Sequence, residues 1–306
     1  MIHFFAAATI LLLSVFSTNA QSQQPLTVVA TTNIIADTAR TIAGDDAHVV
    51  SLMGPGVDPH LYKASPGDLR SLSSASIVFH NGLHLEGKLG EALTNLASRK
   101  PVVAVSDGIP KEKLKRLSES GELYDPHVWF DPQLWVLCAA EMSKALSKYD
   151  PARAERYERR FQELRESLIG LDIWGRDELN KIPSERRILV TAHDAFGYFG
   201  KAYNLELLAI QGISTESEAS LRTINDLVEV IARRKIPAIF IENTISPKTV
   251  ESLVDGVKAK GHEVKIGGEL YGDSLGAQGT PGESYSGALG HNITTITRAL
   301  LEEKKE

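Results

Sequence analysis

The sequence predicts an α/β fold of two pseudo-symmetric lobes, each a mostly parallel four-stranded sheet with flanking helices, joined by one long helix. Three observations predict it. Short apolar, β-branched runs alternate with helical patterns, the arrangement of parallel sheets covered on both faces. The runs fall as four in each half of the chain. And 306 residues exceed the size at which one hydrophobic core stops growing, so two domains are expected.

In the first half the strands are expected at 26–31, 47–53, 77–80 and 101–106, and in the second at 187–192, 205–211, 238–242 and 263–267. Helical patterns occupy 33–43, 66–74 and 221–234 among others. Two further helices lie between the halves. Asp131-Pro132 supplies an N-cap residue followed by proline at the first helical position. Leu134, Leu137, Cys138, Met142, Ala145 and Tyr149 then form one apolar face. Asp150-Pro151 repeats the start signal, and Tyr157, Phe161, Leu164, Leu168 and Leu171 recur at helical spacing. If this second helix runs to Asn180, about 30 residues at ~1.5 Å each span ~45 Å, which fits either a surface helix on one domain or a rigid connector that crosses both halves and limits their motion. Gly170 and Gly175 weaken such a helix, each by ~1 kcal/mol relative to Ala. The expected organisation is a leader at 1–20, an N-terminal lobe at 25–149, a linking helix at 150–182 and a C-terminal lobe at 183–306.

Composition narrows the function. Lys and Arg number 33 against 39 Asp and Glu, a net charge of −6, which lacks the basic footprint of a nucleic-acid binder or of adhesion to anionic membranes. Hydrophobic residues at 42% and charged residues at 24% describe a globular protein rather than a disordered one. The single cysteine, Cys138, excludes an intramolecular disulfide, a Cys-rich zinc ribbon and a CxxC redox motif.

Residues 2–16 are almost wholly apolar, followed by Ser17-Thr18-Asn19-Ala20 and a polar stretch. The run is short for a membrane span of ~20 residues and suits a signal-peptide core cleaved after Ala20, although no Lys or Arg precedes it. Export to the periplasm is expected. No cysteine follows the run, so no lipid anchor is expected.

Nine histidines are present. His3 lies in the leader, His48 opens a strand beside Asp45-Asp46, and His262 follows Gly261 as a turn residue. His262-Glu263 has Ile266 where a second histidine is required, so it is no HExxH helix, and neither a P-loop nor a GxSxG motif occurs. His60 sits in Gly54-Pro55-Gly56-Val57-Asp58-Pro59-His60, His127 in Asp125-Pro126-His127-Val128-Trp129, His193 at the end of the fifth strand, and Asp273 just after the eighth. All four fall near strand C-terminal ends, the rim on which open α/β sheets bind ligands. Three imidazoles and a carboxylate suit a divalent transition metal, whereas each loop histidine taken alone reads more plainly as a solvated residue.

At these residues the chain resembles the periplasmic metal-binding proteins of bacterial ABC importers, the zinc/manganese class of solute-binding proteins. The matching stretches are VDPHLYKASPGDL (57–69), HNGLHLEGKL (80–89), DPHVWFDP (125–132), TAHDAFGYF (191–199), GISTESEAS (212–220), IENTISPK (241–248) and LYGDSLG (270–276). The resemblance implies two α/β lobes joined by a long helix, with metal ligands at His60, His127, His193 and Asp273 in the interlobe cleft. It implies one Zn2+ or Mn2+ per chain as transported cargo, delivered by a monomer to an importer permease and its ATPase. His80, His84 and His291 lie off the ligand positions and are expected to be structural or to hydrogen-bond to a ligand side chain rather than to the metal. Many manganese or iron binders of the class carry Glu at the third ligand position. His193 therefore leans toward zinc, while 111–126 lacks the histidine-rich loop of many dedicated zinc binders.

The expected mechanism is capture and delivery without covalent chemistry, so the protein is not an enzyme. Affinity is expected to fall as pH drops through histidine titration near ~6.5. The glycine-rich stretch 272–290 is expected to be a mobile ligand loop and a release route. Two rival readings are a metal-dependent hydrolase, disfavoured because four protein ligands leave no open water position, and a surface adhesion protein, which no repeats support.

Overall fold

The computed structural model describes residues 26–118 and 121–301. The expected leader lies outside these residues. The first strands are β1 (Leu26–Ala30), β2 (Ala47–Ser51), β3 (Ile77–His80) and β4 (Val102–Ala104). They form one parallel sheet in the order β2-β1-β3-β4. Val28 sits at its centre, paired with Val49 on one side and Ile77 on the other.

Local chemistry fixes the flanking helices. In α1 (Asn33–Ala43) the N-cap Thr32 side chain accepts from the Ile35 N–H. Helix α2 (Pro66–Ser74) opens on a reciprocal capping box between Ser65 and Asp68, with proline at its first position. Helix α3 (Gly90–Ala97) completes the first half.

Asp131 and Pro132 start α4 (Pro132–Tyr149) as the sequence predicts, with Asp131 Oδ1 accepting from the Gln133 N–H at 2.9 Å. Its buried face includes Trp135 and Leu146, whereas Tyr149 is exposed. The second start signal does not cap a helix. Pro151–Arg153 form a 3-10 turn, and α5 runs over Ala154–Leu179. Asp150 turns its carboxylate to Arg153 and Tyr157 instead. At 26 residues, α5 spans about 39 Å. Gly175 does not break it, because the close approach of Tyr203 and Ile293 requires the missing side chain: a Cβ there would lie 2.7 Å from Ile293 Cδ1.

The second half contains β5 (Ile188–His193), α6 (Gly197–Tyr203), β6 (Glu206–Gln211), α7 (Leu221–Arg234), β7 (Ala238–Glu242), α8 (Lys248–Ala259), β8 (Lys265–Leu270) and α9 (Tyr285–Leu301). Its strands do not make the expected single four-stranded sheet. They pair as two parallel ladders, β5 with β6 and β7 with β8, while β5 and β7 lie side by side without a ladder. Between Ile239 and Phe240 the register shifts, because Ile266 and Gly268 face them with Gly267 as the extra residue on β8, and this bulge bends β8 and raises its local twist.

The largest apolar core unites the inner face of the first sheet with α1, α4, α5, α6 and α9. Smaller cores lie under α7 and α8 and beneath α2 and α3. Helix α5 packs against α1 and α4 and against α6 and α9. No described helix is long and apolar enough to cross a membrane.

Candidate metal centre

Four segments converge on one point at the C-terminal ends of the strands. The turn after β2 brings His60, the approach to α4 brings His127, β5 ends on His193, and the turn after β8 brings Asp273. All four side chains are buried, His127 and His193 completely. One ligating atom from each lies within 4.8 Å of every other. His60 Nε2 is 3.3 Å from His127 Nε2 and 3.3 Å from Asp273 Oδ2. His193 Nε2 is 3.3 Å from Asp273 Oδ2, and His127 Nε2 is 3.5 Å from Asp273 Oδ1. A tetrahedron with metal–donor bonds of ~2.0–2.1 Å has edges of ~3.3 Å, so these separations match the shell of one small cation.

The histidines are held by carboxylates, which sequence reasoning did not single out. Asp58 Oδ1 accepts the His60 backbone N–H at 2.8 Å, and Asp125 Oδ1 accepts that of His127 at 3.0 Å. These are Asx-type turns within the repeated tripeptide Asp-Pro-His, and that repetition is the signal that could have found them. Asp125 Oδ1 also accepts from His127 Nδ1 at 2.7 Å, which leaves Nε2 free as a donor to a metal. Glu242, at the end of β7, accepts the His193 backbone N–H through Oε1 at 2.9 Å. Its Oε2 lies 2.7 Å from His193 Nδ1, out of line for a straight hydrogen bond. Its only sequence signal is a charged residue ending an otherwise apolar strand.

Asp273 is anchored through its neighbours. Asn243 accepts the Gly272 N–H at 3.0 Å and donates to Ser274 O at 2.9 Å. Asn33 bonds Ser274 and Leu275, and Trp129 Nε1 donates to Gly272 O at 3.2 Å. Gly272 itself is required by close approach, since a Cβ there would lie 2.6 Å from Glu242 Oε2. The glycine-rich stretch is therefore tied down where it carries the ligand, and from Tyr285 onward it is helix.

Electrostatics follow from burial and proximity. Burial opposes a charge on His193, but Glu242 and Asp273 outweigh it and hold the imidazole well above its ordinary value. Burial likewise opposes ionisation of Asp273, and His193 and His127 overcome it, holding the carboxyl well below the usual range. The same competition, won by His127, lowers Asp125. His193 Nε2 and both Asp273 carboxylate oxygens have no hydrogen-bond partner although buried. Buried unpartnered acceptors are costly, and a divalent ion satisfies all of them together.

The other histidines stand apart. His80 Nδ1 lies 3.9 Å from buried Glu86, His84 is exposed with a left-handed backbone, and His291 Nε2 meets the Glu269 carbonyl. His48 is exposed, and His262 Nε2 contacts Ile236 O. The four clustered residues form the one group of metal-ligating type among the described residues.

Comparison with known proteins gives a consistent result. The family model described as zinc-uptake complex component A, periplasmic, matches residues 28–299. The zinc-binding protein TroA of Treponema pallidum is 47% identical over 281 residues, covering 92% of this chain and 90% of its own. The manganese-binding lipoprotein MntA of Bacillus subtilis is 46% identical over 284 residues, 93% of this chain and 92% of its own. The solved structure of the periplasmic zinc-binding protein TroA superposes with a TM-score of 0.88 at 46% identity, covering 91% of this chain and all of that one.

Proposed function

The chain belongs to the zinc-uptake complex component A family, and from that premise we propose that it captures one Zn2+ or Mn2+ through His60, His127, His193 and Asp273 and hands it to an ABC-type importer. It is the extracytoplasmic binding component of a metal transport system and not an enzyme. The observation that carries the assignment is the convergence of three buried imidazole Nε2 atoms and a carboxylate at the spacing of a single coordination shell, with His193 Nε2 and both Asp273 oxygens left without a hydrogen-bond partner. Both Asp273 oxygens face imidazole nitrogens, so the carboxylate can bind through one oxygen or two. Two relatives are named for different metals, one for manganese and one for zinc. On ligand softness, three nitrogens to one carboxylate favour zinc over manganese.

We further assign residues 25–149 and 183–306 to two pseudo-symmetric lobes flanking a linking helix within 150–182. The strand orders support the pairing: β2-β1-β3-β4 in the first half is matched by β6-β5 and β7-β8 in the second. The protein works as a periplasmic monomer that docks on a permease served by an ATPase.

Elemental analysis of protein purified without added metal, followed by competition between zinc and manganese, tests the cargo. Zinc bound in a 1:1 ratio, lost in His127→Ala, is the expected result. Full binding retained in that variant would place the metal elsewhere.

A further inference from the structure

Two of the three histidines are backed by buried carboxylates, but the two carboxylates differ in charge environment. Asp125 is fully buried, and its Oδ2 lies 3.2 Å from the ammonium of Lys115, a side chain that is 37% exposed. The pairing is built into the backbone as well. The Asp125 N–H donates to Lys115 O at 2.9 Å, the Lys115 N–H donates to the Tyr198 hydroxyl at 3.0 Å, and that hydroxyl donates to Asp125 O at 2.9 Å. The same ammonium stands 4.0 Å from Asp194, the residue after His193. Glu242, equally buried behind His193, has no Lys or Arg among its ion-pair partners in the described residues.

A carboxylate behind a ligating histidine strengthens the ligand by drawing the Nδ1 proton toward itself and raising electron density at Nε2. A cation on the far side of that carboxylate opposes the effect by competing for the carboxylate's charge. Resting on the proposed metal-binding function, we propose that Lys115 is a positioning residue that sets metal affinity through Asp125, making His127 the weaker imidazole ligand and His193, backed by an uncompensated Glu242, the stronger. Release then begins at His127, and Lys115 keeps the ion from being held too tightly to deliver.

This direction separates the idea from a purely structural role. If Lys115 only propped Asp125 in place, its removal would weaken the site. If it withdraws charge from the site, its removal strengthens it. The test measures zinc affinity by chelator competition and zinc release by stopped flow in the wild type, Lys115→Met, Lys115→Gln, Lys115→Arg, Asp125→Asn and the double variant Lys115→Met/Asp125→Asn. Two neutral replacements guard against one that fails to fold. Lys115→Met and Lys115→Gln are expected to bind about tenfold more tightly, within the range of effects from groups behind metal ligands, and to release more slowly. Lys115→Arg is expected to behave as the wild type. In the Asp125→Asn background, Lys115→Met is expected to change affinity less than about threefold, because the group through which the ammonium acts is gone. Weaker binding in both neutral variants overturns the proposal, as does an equal effect of Lys115→Met with and without Asp125. Absence of zinc binding in the wild type would instead overturn the metal-binding function itself.

Discussion

The Thr215 hydroxyl donates to Asp58 Oδ2 at 2.6 Å, although 157 residues separate the two. Asp58 Oδ1 at the same time accepts the His60 N–H. One carboxylate thus holds a metal-ligand turn from the first half and fastens it to the loop after β6. Lys88 and Glu216, 3.6 Å apart, bridge the same gap. Thr215→Val keeps the shape of the side chain and removes the donor. A hydrogen bond to a charged acceptor contributes ~1.5–3 kcal/mol, so the melting temperature is expected to fall by a few degrees and, because the bond restrains the His60 turn, metal release is expected to speed up by as much as about tenfold. Stopped-flow release at the wild-type rate would show that this bridge does not restrain the site.

Glu242→Gln preserves an acceptor for the His193 backbone N–H and removes the negative charge behind the ring. Loss of such a partner costs about 10–100-fold in metal affinity. Calorimetric competition with a chelator reads this directly. Unchanged affinity would mean that Glu242 only fills space at the end of β7.

The metal-free and metal-loaded proteins are expected to respond to pH in opposite senses. The imidazole of His193 is raised in the folded protein, so its stabilising contribution is complete below ~6.5 and is lost as pH rises through the raised folded value. Asp273 is lowered. Its contribution is present above ~3.8 and is lost only as pH falls through the lowered folded value. The metal-free protein therefore loses stability from this site on the alkaline side of neutrality. Metal requires the neutral imidazole, so the gain in melting temperature on adding zinc is expected to grow with pH. Melting curves from pH 5.5 to 8.5 check both trends, and a zinc-induced gain that is largest at pH 5.5 would contradict them.

Ser65→Ala supplies a control. It deletes one half of the exposed capping box of α2, whose residues are not among the clustered metal-ligating side chains, and such losses cost ~1 kcal/mol of stability. Chemical denaturation is expected to register that loss while metal affinity stays at the wild-type value.

Much of this was readable where information is local. Helices 33–43, 66–74 and 221–234 match the sequence reading because Thr32, Ser65 and Ser220 each supply a local cap. The four clustered ligands were legible as rim residues, and the family resemblance named them. What stayed hidden depends on distant partners. The open edge between β5 and β7 follows no periodicity, since both strands carry the apolar pattern of a fully paired sheet. Asp150-Pro151 reads as a helix start, yet Arg153 and Tyr157 claim the Asp150 carboxylate and the helix begins later. The bond between Asp58 and Thr215, and that between Trp129 and Gly272, join segments whose adjacency exists only in the folded chain.

Helix α5 has a final consequence for what kind of guest the protein can accommodate. In contact with α1 and α4 from the first half and with α6 and α9 from the second, it is expected to resist any wide parting of the two halves. A sugar or peptide would need such a gape to enter. A monatomic guest needs only a short local excursion of the turns around it, which makes this scaffold suited to ions and ill-suited to molecules.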